Sequence, residues 1–362
     1  MARLALLRRA VRYYDVARRR SDTTGQALEQ AYGEMSVRYF KDFWSRAARA
    51  VGAETEDVGD NFIRIKREDR WTYVKRHAVM LDSWLSRDLA DNKLFMYKIG
   101  ADYAWKSPRH LVYEYRDVGA ARRFMEGGGG KSVVVKPMGL SRGDGVTTRI
   151  STPRQLAQAS RWASSFSRTL MVEDFIEGDN YRLLFLEHEL VAAVRREPPS
   201  VIGDGEHSIR ELVRLENEAR LRGEPFLSMI PLTIDLECVL ELERQGLRPA
   251  SIPGRDVRVV LKSVINQNAS KENHTVIDGF HPSIVELGKK IGSALNLSLF
   301  GMDLITRELG SPLSESGGVI NEINIPPGIH YHDLVSDPET KVPAGELVLR
   351  AIFSREDRLC RD

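Results

Sequence analysis

Residues 131–146 read KSVVVKPMGLSRGDGV, and the fold turns on how this stretch is understood. A Walker-type phosphate loop keeps its lysine inside the glycine run and follows it with Ser or Thr. Here Lys136 closes a run of valines and precedes the glycines. The valines predict a buried strand that ends at Lys136. The backbone amides of residues 139–146 then predict a glycine-rich hairpin able to fold over phosphate groups, with Lys136 at its base reaching an α- or β-phosphate.

Outward from this loop, strands and helices alternate loosely. STPRQLAQASRWASSF (151–166) carries Ser and Thr at its start, Pro in the first turn and a helical run after them. LMVEDFI (170–176) reads as a buried strand ending in a Gly-Asp-Asn turn. YRLLFLEHELVAAVRRE (181–197) reads as two strands around Glu-His-Glu. Ser208 and Glu211 form a capping box that starts a helix. HPSIVELGKKIGSALN (281–296) predicts a helix, FGMDLI (300–305) a strand, and GVINEINIPPG (318–328) a strand closed by a rigid turn. Upstream, RDLADNKLFMYKIGADY (87–103) predicts one helix. Residues 1–90 read as a mainly helical region with one short extended piece, NFIRIKR. The pattern predicts an α+β enzyme with a mostly antiparallel sheet.

Composition excludes more than it selects. The 362 residues carry 53 Lys and Arg against 51 Asp and Glu, a net charge of +2 that favours no particular partner. The local excess is RLALLRRAVRYYDVARRR (3–20), where Leu4, Leu7 and Val11 recur at helical spacing among arginines. It is expected as an amphipathic helix docked on the body, with no nucleic-acid role. Cys238 and Cys360 form neither a C-x-x-C pair nor a zinc pattern. No run approaches a membrane span, and a cytoplasmic location is the expectation.

The carboxylates of the last strands carry the chemistry. In VINEINI, Glu322 and Asn324 are two residues apart and share one face of a strand. A hairpin turning near Pro312 would bring Asp303 beside Glu322. Two carboxylates and an amide oxygen are hard ligands suited to Mg²⁺ that also takes phosphate oxygens. Taken alone, the same pair fits a solvated sheet face equally well.

Lysine strand, glycine loop, acidic EDFIEG segment, then Asp and Glu-x-Asn on late strands: in this order the motifs resemble the ATP-grasp superfamily. They are closest to the ATP-grasp module of cyanophycin synthetase and related amino-acid and peptide ligases. The resemblance covers roughly residues 90–355, and RREPPSVIGDGEHSIRELV (195–213) is its most specific part. It implies two α+β subdomains gripping ATP beneath a flexible glycine-rich lid, expected at 91–178 and 179–362 after the N-terminal region at 1–90. It further implies that Lys93 and Lys136 contact phosphates and that Ser141, Arg142 and Gly143 belong to the lid. Glu173 would meet the adenine amino group, with Asp174, Phe175 and Ile176 offering backbone contacts and Asn180 standing at the ribose position. Asp303, Glu322 and Asn324 would hold two Mg²⁺ ions. Arg182, Arg196, Lys262 and Asn266 would act near the reacting carbonyl, and Asn268, Gly328 and His332 would shape the substrate side.

The sequence departs from that family where Asn180 replaces a ribose-binding carboxylate, where Lys262 replaces an arginine, and where Ser270 and Lys271 replace glycines. The activity implied is ATP-dependent amide or peptide bond formation through an acylphosphate, releasing ADP and phosphate, on an amino acid or peptide. Loading of an amino acid onto a carrier protein and a non-catalytic nucleotide-binding regulator are the alternatives. A homodimer is compatible with either enzyme reading.

Overall fold

A computed structural model describes residues 23–103, 105–140, 143–355 and 360–361. The basic segment at 3–20, and Ser141 and Arg142 of the glycine loop, lie outside them. The chain begins with helix α1 (Thr23–Ala50) and an antiparallel meander, β1 (Glu54–Gly59), β2 (Phe62–Arg67), β3 (Arg70–Lys75) and β4 (Ala78–Val79). Tyr39, Phe40, Phe43, Trp44 and Ala47 recur at three- and four-residue intervals on α1 and are buried against Ile63, Ile65 and Val74 of the meander. So residues 54–79 hold four strands where one extended piece was expected. β1 is exposed along its whole length and shows no apolar alternation that would reveal it.

The next segment holds α2 (Trp84–Asp91), α3 (Lys93–Asp102), β5 (His110–Glu114), α4 (Val118–Glu126), β6 (Val133–Pro137), β7 (Thr147–Ile150), α5 (Pro153–Ser164) and β8 (Thr169–Asp174). The single helix expected at 87–103 is broken at Asn92. Its side chain caps the second helix by accepting from the Phe95 amide at 3.1 Å, which places Lys93 at that helix's first position. The strands pair antiparallel in the order β5-β8-β6-β7. Val133 and Val135 point to one face, where Ala121, Met125, Leu156 and Ala159 of α4 and α5 cover them. Lys136 and Glu173 therefore project from the opposite face, where Tyr97 of α3 meets them.

The last segment holds β9 (Asp179–Leu186), β10 (Glu189–Arg196), β11 (Ser200–Ile202), α6 (Ile209–Arg222), α7 (Leu236–Arg244), β12 (Arg258–Val260) and β13 (Asn273–Thr275). It continues through α8 (Pro282–Leu295), β14 (Leu299–Thr306), α9 (Leu313–Ser316), β15 (Val319–Asn324), α10 (Ala344–Ser354) and β16 (Cys360–Arg361). Both capping-box bonds at Ser208 and Glu211 form. Glu187 and His188 take the left-handed conformations of a tight hairpin turn. Five strands pair antiparallel in the order β13-β10-β9-β14-β15.

That sheet explains where the site lies. Leu183, Phe185, Ala193, Phe300 and Met302 on one face pack against Ile284, Ile291 and Leu295 of α8. On the other face, Leu184, Leu186, Ala192 and Leu299 are covered by α1 and α10. Further along the strands this second face turns polar, with Asn180, Arg182, Arg196, Asp303 and Glu322. Among the described residues no helix is long and apolar enough to cross a membrane.

Candidate active site

Two polar clusters face each other. The first is built on the β5-β8-β6-β7 sheet. Lys136 and Glu173, on neighbouring strands, form a buried ion pair, and the Tyr97 hydroxyl donates to the same carboxylate at 3.0 Å. The Tyr97 ring packs on His110 at 4.6 Å, and the Lys93 ammonium lies 5.8 Å from its centre. Burial and the neighbouring Lys93 push Lys136 down to about 7, against the pull of Glu173. Burial opposes ionisation of Glu173 too, but the two lysines outweigh it and hold that carboxyl below its usual range. Two lysines thus share one carboxylate. Lys93 also feels the charge of Glu322 and lines a cavity with it, so it spans both clusters.

The second cluster is a row across three strands. Arg182 pairs in register with Asp303, and Asp303 with Glu322. The Arg182 guanidinium donates two bonds to Asp303, Nε to Oδ1 and Nη2 to Oδ2, each 2.6 Å. Burial works against that carboxylate, yet Arg182 beside it keeps Asp303 below the usual range. Asn324 lies two residues beyond Glu322 on the same face, in register with Gly301. Arg196 forms no ion pair among the described residues, though it feels the charge of Asp303. It donates to Asn268 Oδ1 at 2.9 Å, and its Nε is buried without an acceptor.

Tyr331, which the sequence analysis did not select, stands between the arginines, its ring centre 4.9 Å from the Arg182 Cζ and 4.1 Å from the Arg196 Cζ. The sequence signal available was an aromatic between two histidines in GIHYH. Gly328 makes room for it, because a Cβ there would lie 2.6 Å from the Tyr331 ring and 3.0 Å from Arg182.

The remaining expected residues divide. Gly143 has a φ of +71°, and a Cβ there would sit 2.9 Å from the Asn266 amide nitrogen, so the lid rests against Asn266. Asn180 lies on the polar face, in register with Arg196. The Asp174 and Phe175 amides donate to the carbonyls of Arg109 and Ser132, each at 2.9 Å, and the Asp174 carboxylate is held by Arg109. Those two amides are therefore not free for a base.

Lys262 is a correction. Its ammonium is 2 % exposed and bound to Thr233 at 2.8 Å and to Asp235, at the N-terminus of α7, at 2.6 Å, so it is held away from the place near a reacting carbonyl expected for it. Lys271 points away to Glu216 at 3.2 Å, not into a substrate channel. His332 is 1 % exposed with neither ring nitrogen bonded. Burial and the two arginines drop it to about 3, so it is a neutral wall beneath the site and offers no atom to open space. Glu237 was also missed. It accepts from the Thr148 amide and hydroxyl at 2.8 and 2.6 Å and from the Ser263 amide at 3.2 Å, tying the lid's return strand to the segment that bears Asn266.

No family model matches the chain. It is 33 % identical over 207 residues to a cyanophycin synthetase of Crocosphaera subtropica, covering 56 % of this chain and 24 % of the relative. It is 32 % identical over 294 residues to the glutathione biosynthesis bifunctional protein GshAB of Mannheimia succiniciproducens, covering 78 % of this chain and 38 % of the relative. Among solved structures, that of a bifunctional glutathione synthetase from Pasteurella multocida matches with a TM-score of 0.54 at 24 % identity, over 86 % of this chain and 43 % of that one. The chain has the ATP-grasp fold and is related to cyanophycin synthetase. It spans well under half the length of the curated relatives it matches.

An ATP-grasp site implies magnesium, and the donors here fit it. Asp303, Glu322 and the Asn324 amide oxygen are hard ligands on paired strands. Among the described residues no group of three or more His, Cys, Asp or Glu gathers elsewhere as a rival. Phosphate oxygens and water would complete the shell.

Proposed function

We propose that this chain is an ATP-consuming carboxylate–amine ligase that forms an amide or peptide bond and releases ADP and phosphate. One observation supports it above the others. Lys93 and Lys136 share the single carboxylate of Glu173, and facing them Arg182 and Arg196 stand with Asp303 and Glu322. The lysine cluster holds one more cation than it can neutralise, which suits a triphosphate, while the arginine row carries two carboxylates against two arginines, which suits a metal ion beside a carboxylate or acylphosphate.

In this reading Lys93 and Lys136 bind the phosphates, and the first turn of α3 adds its free amides beside Lys93. The glycine loop covers them from above, held against Asn266. Asp303, Glu322 and Asn324 would hold magnesium, whose charge offsets that of the transferred phosphoryl group. Arg196 orients the substrate carboxylate. Its oxygen takes the γ-phosphoryl group from ATP, giving an acylphosphate and ADP. The amine nitrogen then attacks the carbonyl carbon, phosphate leaves, and the amine proton passes to solvent. Catalysis comes chiefly from positioning and charge neutralisation.

The test is phosphate release across a matrix of amino acids and amines, with product masses measured. Glu322→Gln should lower turnover by about a thousandfold and leave the melting temperature in place, since Glu322 is exposed. Near-normal phosphate release by that variant would remove the metal assignment.

A further inference from the structure

Beside the arginine pair lies a cavity that no part of the proposed reaction uses. Leu227, Met229, Ile230 and Leu334 form its apolar wall, and Asn266, Asn268, Asn273 and Tyr331 its polar one. It begins at two parts of the site already described, the Tyr331 ring between the arginines and the Asn266 side chain under the lid. From Arg196 a directional chain runs along its wall. Arg196 donates to Asn268 Oδ1, Asn268 Nδ2 donates to Asn273 Oδ1, and Asn273 Nδ2 donates to the Leu334 carbonyl at 2.8 Å. That chain consumes the amide groups of Asn268 and Asn273 within the protein.

Among the described residues no Asp, Glu, Lys or Arg lines this cavity. The nearest basic groups behind its wall are turned elsewhere. Lys262 is bound to Asp235, and Lys271 to Glu216. Arg220 is fully buried and donates to the carbonyls of Ile230 at 3.0 Å and Gln267 at 2.8 Å, which holds the two loops of the wall together. The remaining lining groups, Ser228 and His330, are neutral as well. Ser228 donates to the Ile230 and Asn268 carbonyls, and burial drives His330 well below its ordinary range.

Resting on the ligase reading, we infer that this cavity receives the side chain of the amino acid whose carboxylate meets Arg196, and that it selects an uncharged side chain. A carboxylate placed there finds no cation on the lining among the described residues, Arg196 being engaged by the substrate carboxylate and Arg182 by Asp303. An ammonium or guanidinium finds no anion and faces the field of Arg182 and Arg196. Leaving such a charge unpaired out of water is strongly disfavoured. An uncharged side chain meets apolar contacts on one wall and the already bonded amides of Asn268 and Asn273 on the other.

The experiment uses the full chain with Mg²⁺ and alanine, serine, valine, aspartate, glutamate, lysine or arginine. It reads phosphate release in a fixed amine, and melting temperature in the presence of the non-hydrolysable analogue AMP-PNP. The uncharged amino acids should exceed the charged ones in kcat/KM by about a hundredfold, and they alone should raise the melting temperature. Met229→Lys should shift the preference toward aspartate and glutamate by about tenfold or more, and Leu227→Lys provides a second variant where the first does not fold. Turnover supported only by charged amino acids overturns the inference and leaves the ligase reading standing. A melting shift from the uncharged set without any phosphate release keeps the cavity assignment and overturns the ligase reading. Equal shifts from all seven, or none from any, overturn the cavity assignment.

Discussion

The two clusters of the site draw their positive charge from different residues. On the nucleotide side the surplus cation is a lysine, which can lose its proton. On the proposed substrate side the cations are two arginines matched by Asp303 and Glu322, and they stay charged at any pH at which the protein folds. Before ATP arrives, the lysine cluster can relieve its excess by leaving Lys136 partly neutral near pH 7. The arginine cluster has no such outlet, and it responds by geometry instead. Arg182 binds Asp303 through two hydrogen bonds, Arg196 rests on Tyr331, and the buried histidine beneath them is held neutral. One half of the site is therefore tuned by protons and the other is fixed in place.

The largest effect expected from breaking this contrast is at Arg182. Arg182→Met removes the partner of a buried carboxylate and should destabilise the fold by about 3–5 kcal/mol. Chemical denaturation measures it. A loss below about 1 kcal/mol would show that Asp303 is satisfied by water or by Asn324 and that the row is looser than described. The same geometry makes Asp303 a poor place to test the metal alone, because any change there also disturbs Arg182. Exposed Glu322 separates the two questions.

Next in size is Arg196→Lys. It keeps a charge but loses the planar fork and the stacking on Tyr331. KM for the carboxylate substrate should rise by roughly ten- to a hundredfold, with KM for ATP unchanged. A rise confined to ATP would place Arg196 on the nucleotide side and erase the distinction between the clusters.

Smallest and sharpest is the proton itself. Lys136 in the free protein titrates near 7, against an ordinary value of 10.5. The unfolded chain holds that proton to higher pH than the folded one, so this group stabilises the fold progressively as pH rises from about 7 toward 10.5. Phosphate reverses the preference. Nucleotide binding at pH 8 should take up as much as about one proton per site and at pH 6 close to none. Calorimetry in buffers of different ionisation enthalpy measures this, and Lys136→Arg should abolish it. Uptake that is the same at both pH values would show that Lys136 is charged throughout.

Most of the nucleotide side was legible in the sequence because it rests on local signals. A valine run fixes the face from which Lys136 projects, and the Glu-x-Asn spacing with a turn near Pro312 brings Asp303 opposite Glu322. The substrate side depends on pairings between distant segments. Tyr331 acquires its role from arginines well over a hundred residues earlier, and Glu237 from Thr148 on another sheet. Lys262 shows the limit plainly. Its charge could be read from the sequence, but its partner Asp235 belongs to a helix terminus whose approach nothing nearby announces. Strand β1 was hidden for a simpler reason, since an edge strand exposed on both faces has no hydrophobic period to detect.

The claim that both clusters act on one transferred phosphoryl group is tested most directly by trapping. The chain is supplied with ATP, Mg²⁺ and the carboxylate substrate found in the matrix, and hydroxylamine replaces the amine. The account predicts a hydroxamate formed in equal amount to ADP, from capture of an acylphosphate. Hydroxamate accompanied by AMP and pyrophosphate would mean that the carboxylate is adenylated, and it would contradict the placement of both the lysines and the metal-binding row.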